Sequence, residues 1–146
     1  METIRRAEAI WEGDLLNGRG TVAAMSSGAF KGQPVTWAAR TEAPGGKTSP
    51  EELLAAAHAS CFAMALSAGL ARARTPARRL RVSAAVSFGK TEQGFRVTAS
   101  ALEVSGDVKG LDAAGFEKAA EEAKDGCPIS QALKGNVALT VRATLE

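Results

Sequence analysis

From Glu51 to about Arg72 the chain is apolar around most of a helical circumference, whereas the segments on either side read as strands. Ala, Leu and Met dominate that stretch, all strong helix formers. Ser49 is a good N-cap, Pro50 fits the first helical position, and Glu52 lies three residues after Ser49, so a capping box is predicted at its start. Upstream, Ile4 to Trp11 mixes apolar and polar positions and predicts a first strand. Asn17-Gly18 signals a hairpin turn, Arg19 to Met25 a second strand, and Val35 to Thr41 a third ending near Arg40. Ala43-Pro44-Gly45-Gly46-Lys47 is a loop. Beyond Pro76, Leu80 to Phe88 alternates as a strand, Lys90 to Gly94 turns, and Phe95 to Val104 returns. Asp112 caps an amphipathic helix reaching about Asp125, with Phe116, Ala119, Ala120 and Ala123 on its inner face. A short helix over 128–133 and a strand over 136–145 complete the chain. The order predicts one α+β domain over residues 1–146, without internal repeats.

A helix apolar on most sides is expected to be buried on several sides. One thin sheet in a small domain cannot supply that cover, so a second copy of the chain is the simplest partner. Composition adds bounds rather than detail. Hydrophobic residues are 45% and charged residues 23%, the balance of a globular chain. Net charge is +2 from 18 basic and 16 acidic residues, so nothing points to nucleic acid or an acidic membrane surface as a partner. Met1-Glu2-Thr3-Ile4-Arg5-Arg6 is not followed by a continuous apolar stretch, and no segment reads as a bilayer span. A cytoplasmic location is therefore expected.

The chain has two cysteines, Cys61 and Cys127, and one histidine, which is too few for a four-ligand Cys/His metal site. In the cytosol such a pair is more often redox-active than structural. A thiol must ionise to react, and the two differ in their means of doing so. Cys127 directly precedes Pro128 at a helix start, where unpaired amides and the helix dipole favour an anion. Cys61 lies about three turns into the long helix among apolar residues, so a cation must be brought to it. Arginine suits that task because it stays charged when desolvated.

Arg40 and Arg19 are the candidate cations, and Glu51 or Glu52 in the first helical turn can hold one in bidentate fashion. Glu51 and Cys61, ten residues apart, are separated by about 15 Å along a helix. An arginine held by Glu51 would strain to reach Cys61 of its own chain. A second chain with its helix crossing the first could bring one copy's Arg and Glu to the other's Cys. His58, one turn from Cys61, invites a Cys–His hydrolase reading, against which stand the shared helix and the lack of a visible oxyanion loop.

Ser49-Pro50-Glu51-Glu52-Leu53-Leu54, His58-Ala59-Ser60-Cys61-Phe62 and Gly126-Cys127-Pro128-Ile129-Ser130, with Gly18-Arg19-Gly20-Thr21 upstream, together resemble the OsmC/Ohr family of osmotically inducible and organic hydroperoxide resistance proteins. The resemblance covers essentially the whole chain and is nearer the OsmC branch, given His58, the Glu51-Glu52 pair and the setting of Arg40. It implies antiparallel sheets around a long buried central helix, in an intertwined homodimer with composite sites at the interface. It implies a thiol peroxidase for organic hydroperoxides, and less well for hydrogen peroxide, with Cys61 peroxidatic and Cys127 resolving through a disulfide. The activating arginine of the OsmC branch matches Arg40, and that of the Ohr branch lies near Arg19. Glu51 would fix the arginine and Glu52 share the task, while Phe62, Met64, Phe30 and Trp37 are candidates for an apolar substrate pocket. No metal, haem or flavin is implied, and the reductant would be an external dithiol, small or lipoyl-type. The competing class is a non-enzymatic redox sensor or binding protein using the same cysteine pair as a switch.

Overall fold

The computed structural model describes residues 1–146, which fall into two compact units, Met1–Leu53 and Leu54–Glu146. In the first unit, strands β1 (Ala7–Glu12), β2 (Arg19–Met25) and β3 (Lys31–Val35) form an antiparallel sheet in that order. The β1–β2 connection is built by Asp14. Its carboxylate accepts the Asn17 amide at 2.8 Å, and its carbonyl accepts the Gly18 amide at 2.9 Å. A Cβ on Gly18 would collide with the Asp14 carbonyl, so the turn signal at Asn17-Gly18 marks a steric need at glycine rather than a two-residue hairpin.

The predicted third strand is displaced. It ends at Val35, and Trp37–Thr41 forms a short helix, α1, so Arg40 sits on a helix instead of a strand end. Thr36 decides this: its hydroxyl accepts the Ala39 amide at 3.1 Å, capping a turn that Ala38 and Ala39 readily continue. Within residues 1–53 only Gly20, Val22, Ala39 and Glu51 are buried, and Ile10, Trp11, Leu15, Leu16 and Phe30 are exposed.

The long helix, α2 (Pro50–Arg72), begins as predicted, with the Glu52 amide donating to Ser49 Oγ at 3.1 Å. By length and composition it is apolar enough to cross a bilayer, which corrects the expectation that no segment is. A core helix passes the same test, and His58, Phe62, Leu66 and Leu70 bury one stripe of it. Burial on several sides is not found within the chain: Ala56, Ala57, Ser60, Met64, Ser67, Ala68 and Ala71 are exposed.

In the second unit, β4 (Ala77–Thr91) and β5 (Gly94–Val108) form a long antiparallel hairpin closed by Glu92-Gln93. Helices α3 (Ala113–Gly126) and α4 (Pro128–Leu133) carry the chain to β6 (Ala138–Leu145). The β6 strand pairs with β5 in parallel, so the expectation of purely antiparallel sheets fails for this pair; a helical crossover is what parallel neighbours require. Along β5 the even positions from Ser100 to Val108 are buried, the period-two signature of one packed face. Leu102, Val104 and Val108 meet Phe62, Leu66 and Leu70 of α2 and Phe116, Ala120 and Ala123 of α3, with Cys127 closing the cluster. Phe116 packs so near Gly106 that a Cβ there would lie 2.5 Å from its ring. Ser100 is the polar member of the packed β5 face and therefore needs a partner.

Candidate active site

Spacing along α2 sets the site. His58 and Phe62 share a face four residues apart, so the packing that buries Phe62 also turns His58 inward, and Cys61 stands at the edge of the same face. Cys127 closes α3 and opens α4, with its backbone extended at φ −65°, ψ 124°. Cys61 packs against the buried cluster that includes Cys127, and both thiols are free. Cys127 is fully buried and Cys61 half-buried.

Their environments push the thiols apart. Burial raises the Cys61 thiol, the Ile129 amide pulls it back, and the neighbouring Cys127 thiol pushes it up again, leaving it above its ordinary value. Burial also pushes Cys127 up, but the Ser130 amide, the Cys61 thiol, the Ser130 hydroxyl and the Ile129 amide together bring it below the ordinary thiol range. The Cys127 sulfur completes no regular capping bond, so these groups act on it as short-range dipoles at the opening of α4. Within this unit Cys127 is thus the stronger acid and Cys61 the weaker.

In the first unit Arg40 and Glu51 are paired. Arg40 Nε donates to Glu51 Oε2 at 3.1 Å and Oε1 at 3.2 Å, and Nη2 donates to Oε1 at 2.7 Å. Glu51 is buried, and the guanidinium carbon stands 5.8 Å from the Trp37 ring centre, a cation–π arrangement. A cavity of about 350 Å³ opens beside the pair, lined by Trp11, Leu15, Val35, Thr36, Trp37, Arg40 and Pro50. The structure thus brings Arg40 to Glu51 in one unit and Cys61 to Cys127 in the other. Glu52 takes a different partner, accepting the Thr48 hydroxyl at 2.8 Å. Arg19 is exposed and lies 3.6 Å from Glu12. Phe62 is fully buried in the core and has no surface to offer a substrate, and Met64 is 68% exposed.

His58 has neither ring nitrogen to spare for Cys61. Nδ1 meets Ser100 Oγ at 2.7 Å, and Nε2 meets Ser130 Oγ at 2.8 Å, which removes the Cys–His dyad of a hydrolase. Sequence reasoning missed both serines. Ser130 lay inside the Gly126–Ser130 motif, whereas Ser100 carried no local signal. Desolvation lowers the His58 pKa, so the folded chain holds a neutral imidazole. Below about 6.5 the unfolded chain binds a proton that the folded one resists, and stability falls as pH drops through that value. Thermal unfolding followed from about pH 7 to about pH 5 should show this loss, with a flatter profile in His58→Gln.

The chain has relatives among known proteins, in sequence and in fold. Residues 43–142 match the OsmC-like protein family. The chain is 42% identical over 135 residues to Peroxiredoxin OsmC of Escherichia coli strain K12, covering 92% of this chain and 93% of that one. It is 32% identical over 101 residues to the Organic hydroperoxide resistance protein of Xanthomonas axonopodis pv. citri, covering 68% of each. Its fold matches the crystal structure of the Organic Hydroperoxide Resistance Protein OhrB of Bacillus subtilis with a TM-score of 0.73 and 26% identity, over 95% of this chain and 98% of that one. The chain belongs to the OsmC-like family.

Proposed function

We propose that the chain is a thiol peroxidase that reduces organic hydroperoxides, and hydrogen peroxide less well, with Cys61 as nucleophile. The observation carrying this reading is the pair of free thiols in one core cluster, Cys61 on α2 packed against the buried group that includes Cys127 at the opening of α4. The names of the relatives, a peroxiredoxin and an organic hydroperoxide resistance protein, support the same chemistry.

In this reading the Cys61 thiolate attacks the distal peroxide oxygen. The O–O bond breaks, its electron pair leaves with the alkoxide, and a proton completes the alcohol. Cys61 is left as a sulfenic acid. Cys127 then attacks that sulfur, the S–O bond breaks, water departs and a Cys61–Cys127 disulfide remains, which protects Cys61 from further oxidation. An external dithiol, small or lipoyl-type, reopens it in a reducing compartment such as the cytoplasm. Arg40, held by Glu51, supplies the positive charge that Cys61 lacks, and the adjoining cavity, apolar apart from Arg40 and Thr36, suits an alkyl hydroperoxide.

A second copy of the chain completes the site. The first unit buries only Gly20, Val22, Ala39 and Glu51 while exposing Ile10, Trp11 and Leu15, too little core to order it alone. The exposed face of α2 bearing Ala57, Met64 and Ala68 is equally uncovered. Analytical ultracentrifugation should find a dimer, and an active monomer would end the composite-site reading.

Consumption of cumene hydroperoxide with a dithiol as reductant tests the function. Sustained turnover is expected; one stoichiometric oxidation without recycling would make the pair a redox switch instead. A Cys127→Ser chain should complete the first oxidation at the normal rate and then accumulate Cys61 carrying two oxygens, visible by intact mass.

A further inference from the structure

The one histidine of the chain is fully buried, and nothing in the peroxidase steps above employs it. It stands on α2 one turn before Cys61, on the side that packs into the core. Its ring nitrogens meet two buried serine hydroxyls on different elements: Nδ1 lies 2.7 Å from Ser100 Oγ of β5, and Nε2 lies 2.8 Å from Ser130 Oγ of α4. Ser130 comes three residues after Cys127, in the turn that Cys127 opens. The polar string Ser100–His58–Ser130 therefore joins the helix that carries one thiol to the helix that begins at the other.

Backbone bonds carry this link on to Cys127. The Gln131 amide donates to the Cys127 carbonyl at 2.9 Å, and the Lys134 amide donates to the Ser130 carbonyl at 2.9 Å, so Cys127 and Ser130 belong to one hydrogen-bonded piece. The Cys127 amide donates to the Ala123 carbonyl at 2.8 Å, which ties that piece to the end of α3. Farther along, α2 meets the core through Phe62, Leu66 and Leu70, whose apolar contacts carry no preferred direction. The hydrogen bond from His58 to Ser130 does have one, and breaking it would leave polar groups unpaired among apolar neighbours. That bond fixes the register of α4 on α2, and with it the approach of the Cys127 backbone to Cys61.

We propose that His58 is a positioning residue whose Nε2 bond to Ser130 holds α4 against α2, so that Cys127 can close a disulfide on Cys61. The inference rests on the peroxidase reading for the sulfenic acid that Cys127 attacks, and on the hydrogen-bond geometry for the rest. The step balances: the Cys127 lone pair forms the S–S bond, the S–O bond of Cys61 breaks with its electron pair on oxygen, and the proton released by Cys127 completes the departing water. His58 touches no reacting atom. Its bond orders the two helices before closure, so the disulfide itself need not do so. Ser100 holds the other ring nitrogen and keeps Nε2 turned towards α4.

The reduction potential of the Cys61–Cys127 disulfide tests this without any peroxide, read by intact mass after equilibration in dithiothreitol redox buffers and alkylation. An asparagine amide reaches about as far as Nδ1 and a glutamine amide about as far as Nε2, so the two substitutions separate the two bonds. His58→Asn should lose the bond to Ser130 and weaken the disulfide about five- to tenfold, the net worth of one hydrogen bond, which raises the potential by about 20–30 mV. Ser130→Ala should do the same, while His58→Gln and Ser130→Thr should stay within about twofold of wild type. Leu70→Ala, which loosens the far end of α2 and spares the polar string, should melt earlier at an unchanged potential. A wild-type potential in a folded Ser130→Ala chain, or a shift in Leu70→Ala as large as that in His58→Asn, overturns the proposal. Should Ser130→Ala not fold, equal potentials in His58→Asn and His58→Gln do so. In a single turnover with one equivalent of peroxide, His58→Asn should slow disulfide closure about tenfold relative to sulfenic acid formation. A raised potential in a chain that never consumes peroxide would refute the peroxidase reading and leave the positioning role supported.

Discussion

Cys61→Ser is expected to lose hydroperoxide turnover by on the order of a thousandfold or more, the scale on which removal of a covalent nucleophile is felt. A serine hydroxyl does not ionise under these conditions, and no base beside it can take its proton, since both nitrogens of His58 are already occupied. The fold should be nearly indifferent to the change. Cys61 is half-buried and serine is close to isosteric, so a stability difference within about 1 kcal/mol is anticipated. Steady-state consumption of cumene hydroperoxide, with circular dichroism melts alongside, separates the two effects. Cys127 is the more acidic thiol of the pair, so slow stoichiometric oxidation of that residue by excess peroxide is compatible with this outcome. Catalytic turnover is not, and a Cys61→Ser enzyme that recycled normally would remove Cys61 from the mechanism.

The acidity of Cys127 and the reluctance of Cys61 were both legible from position alone: one precedes a proline at a helix start, the other lies deep in an apolar helix. So was α2, whose cap, first-turn proline and alanine-rich body all agree. Local signals failed where two of them competed. Val35, Trp37 and Ala39 alternate as a strand would, yet the Thr36 hydroxyl captures the Ala39 amide and turns the same residues into α1. Direction was also illegible. Nothing in the composition of β6 says that it runs parallel to β5; the α3–α4 crossover decides it. The polar string was invisible for a related reason. Ser100 and Ser130 are 42 and 72 residues from His58, so their meeting is a consequence of topology. The capping box was half right, with the Ser49 side predicted correctly and the Glu52 carboxylate diverted to Thr48.

Arg40→Ala should cost both stability and activity, and the two losses have different origins. Glu51 is 7% exposed, so deleting its partner strands a carboxylate with little water to replace three guanidinium bonds. Breaking a fully buried pair costs about 3–5 kcal/mol; with the arginine side chain 29% exposed, about 1–3 kcal/mol is the expected range here. Arg40→Lys should recover part of the stability but little of the activity, because an ammonium cannot reproduce the planar bidentate contact or stack on Trp37 in the same way. Activity in Arg40→Ala should fall about a hundredfold, the usual scale for losing one preorganised charge at a reacting centre. The location of that charge is then open to a direct test. When Arg40→Ala and Cys61→Ser chains are coexpressed and mixed dimers isolated through separate tags, one of the two composite sites regains both residues. Such dimers should show about half the wild-type rate, since a symmetric dimer carries two equivalent sites. If Arg40 instead served the thiol of its own chain, every mixed dimer would hold two damaged sites, and no activity would return.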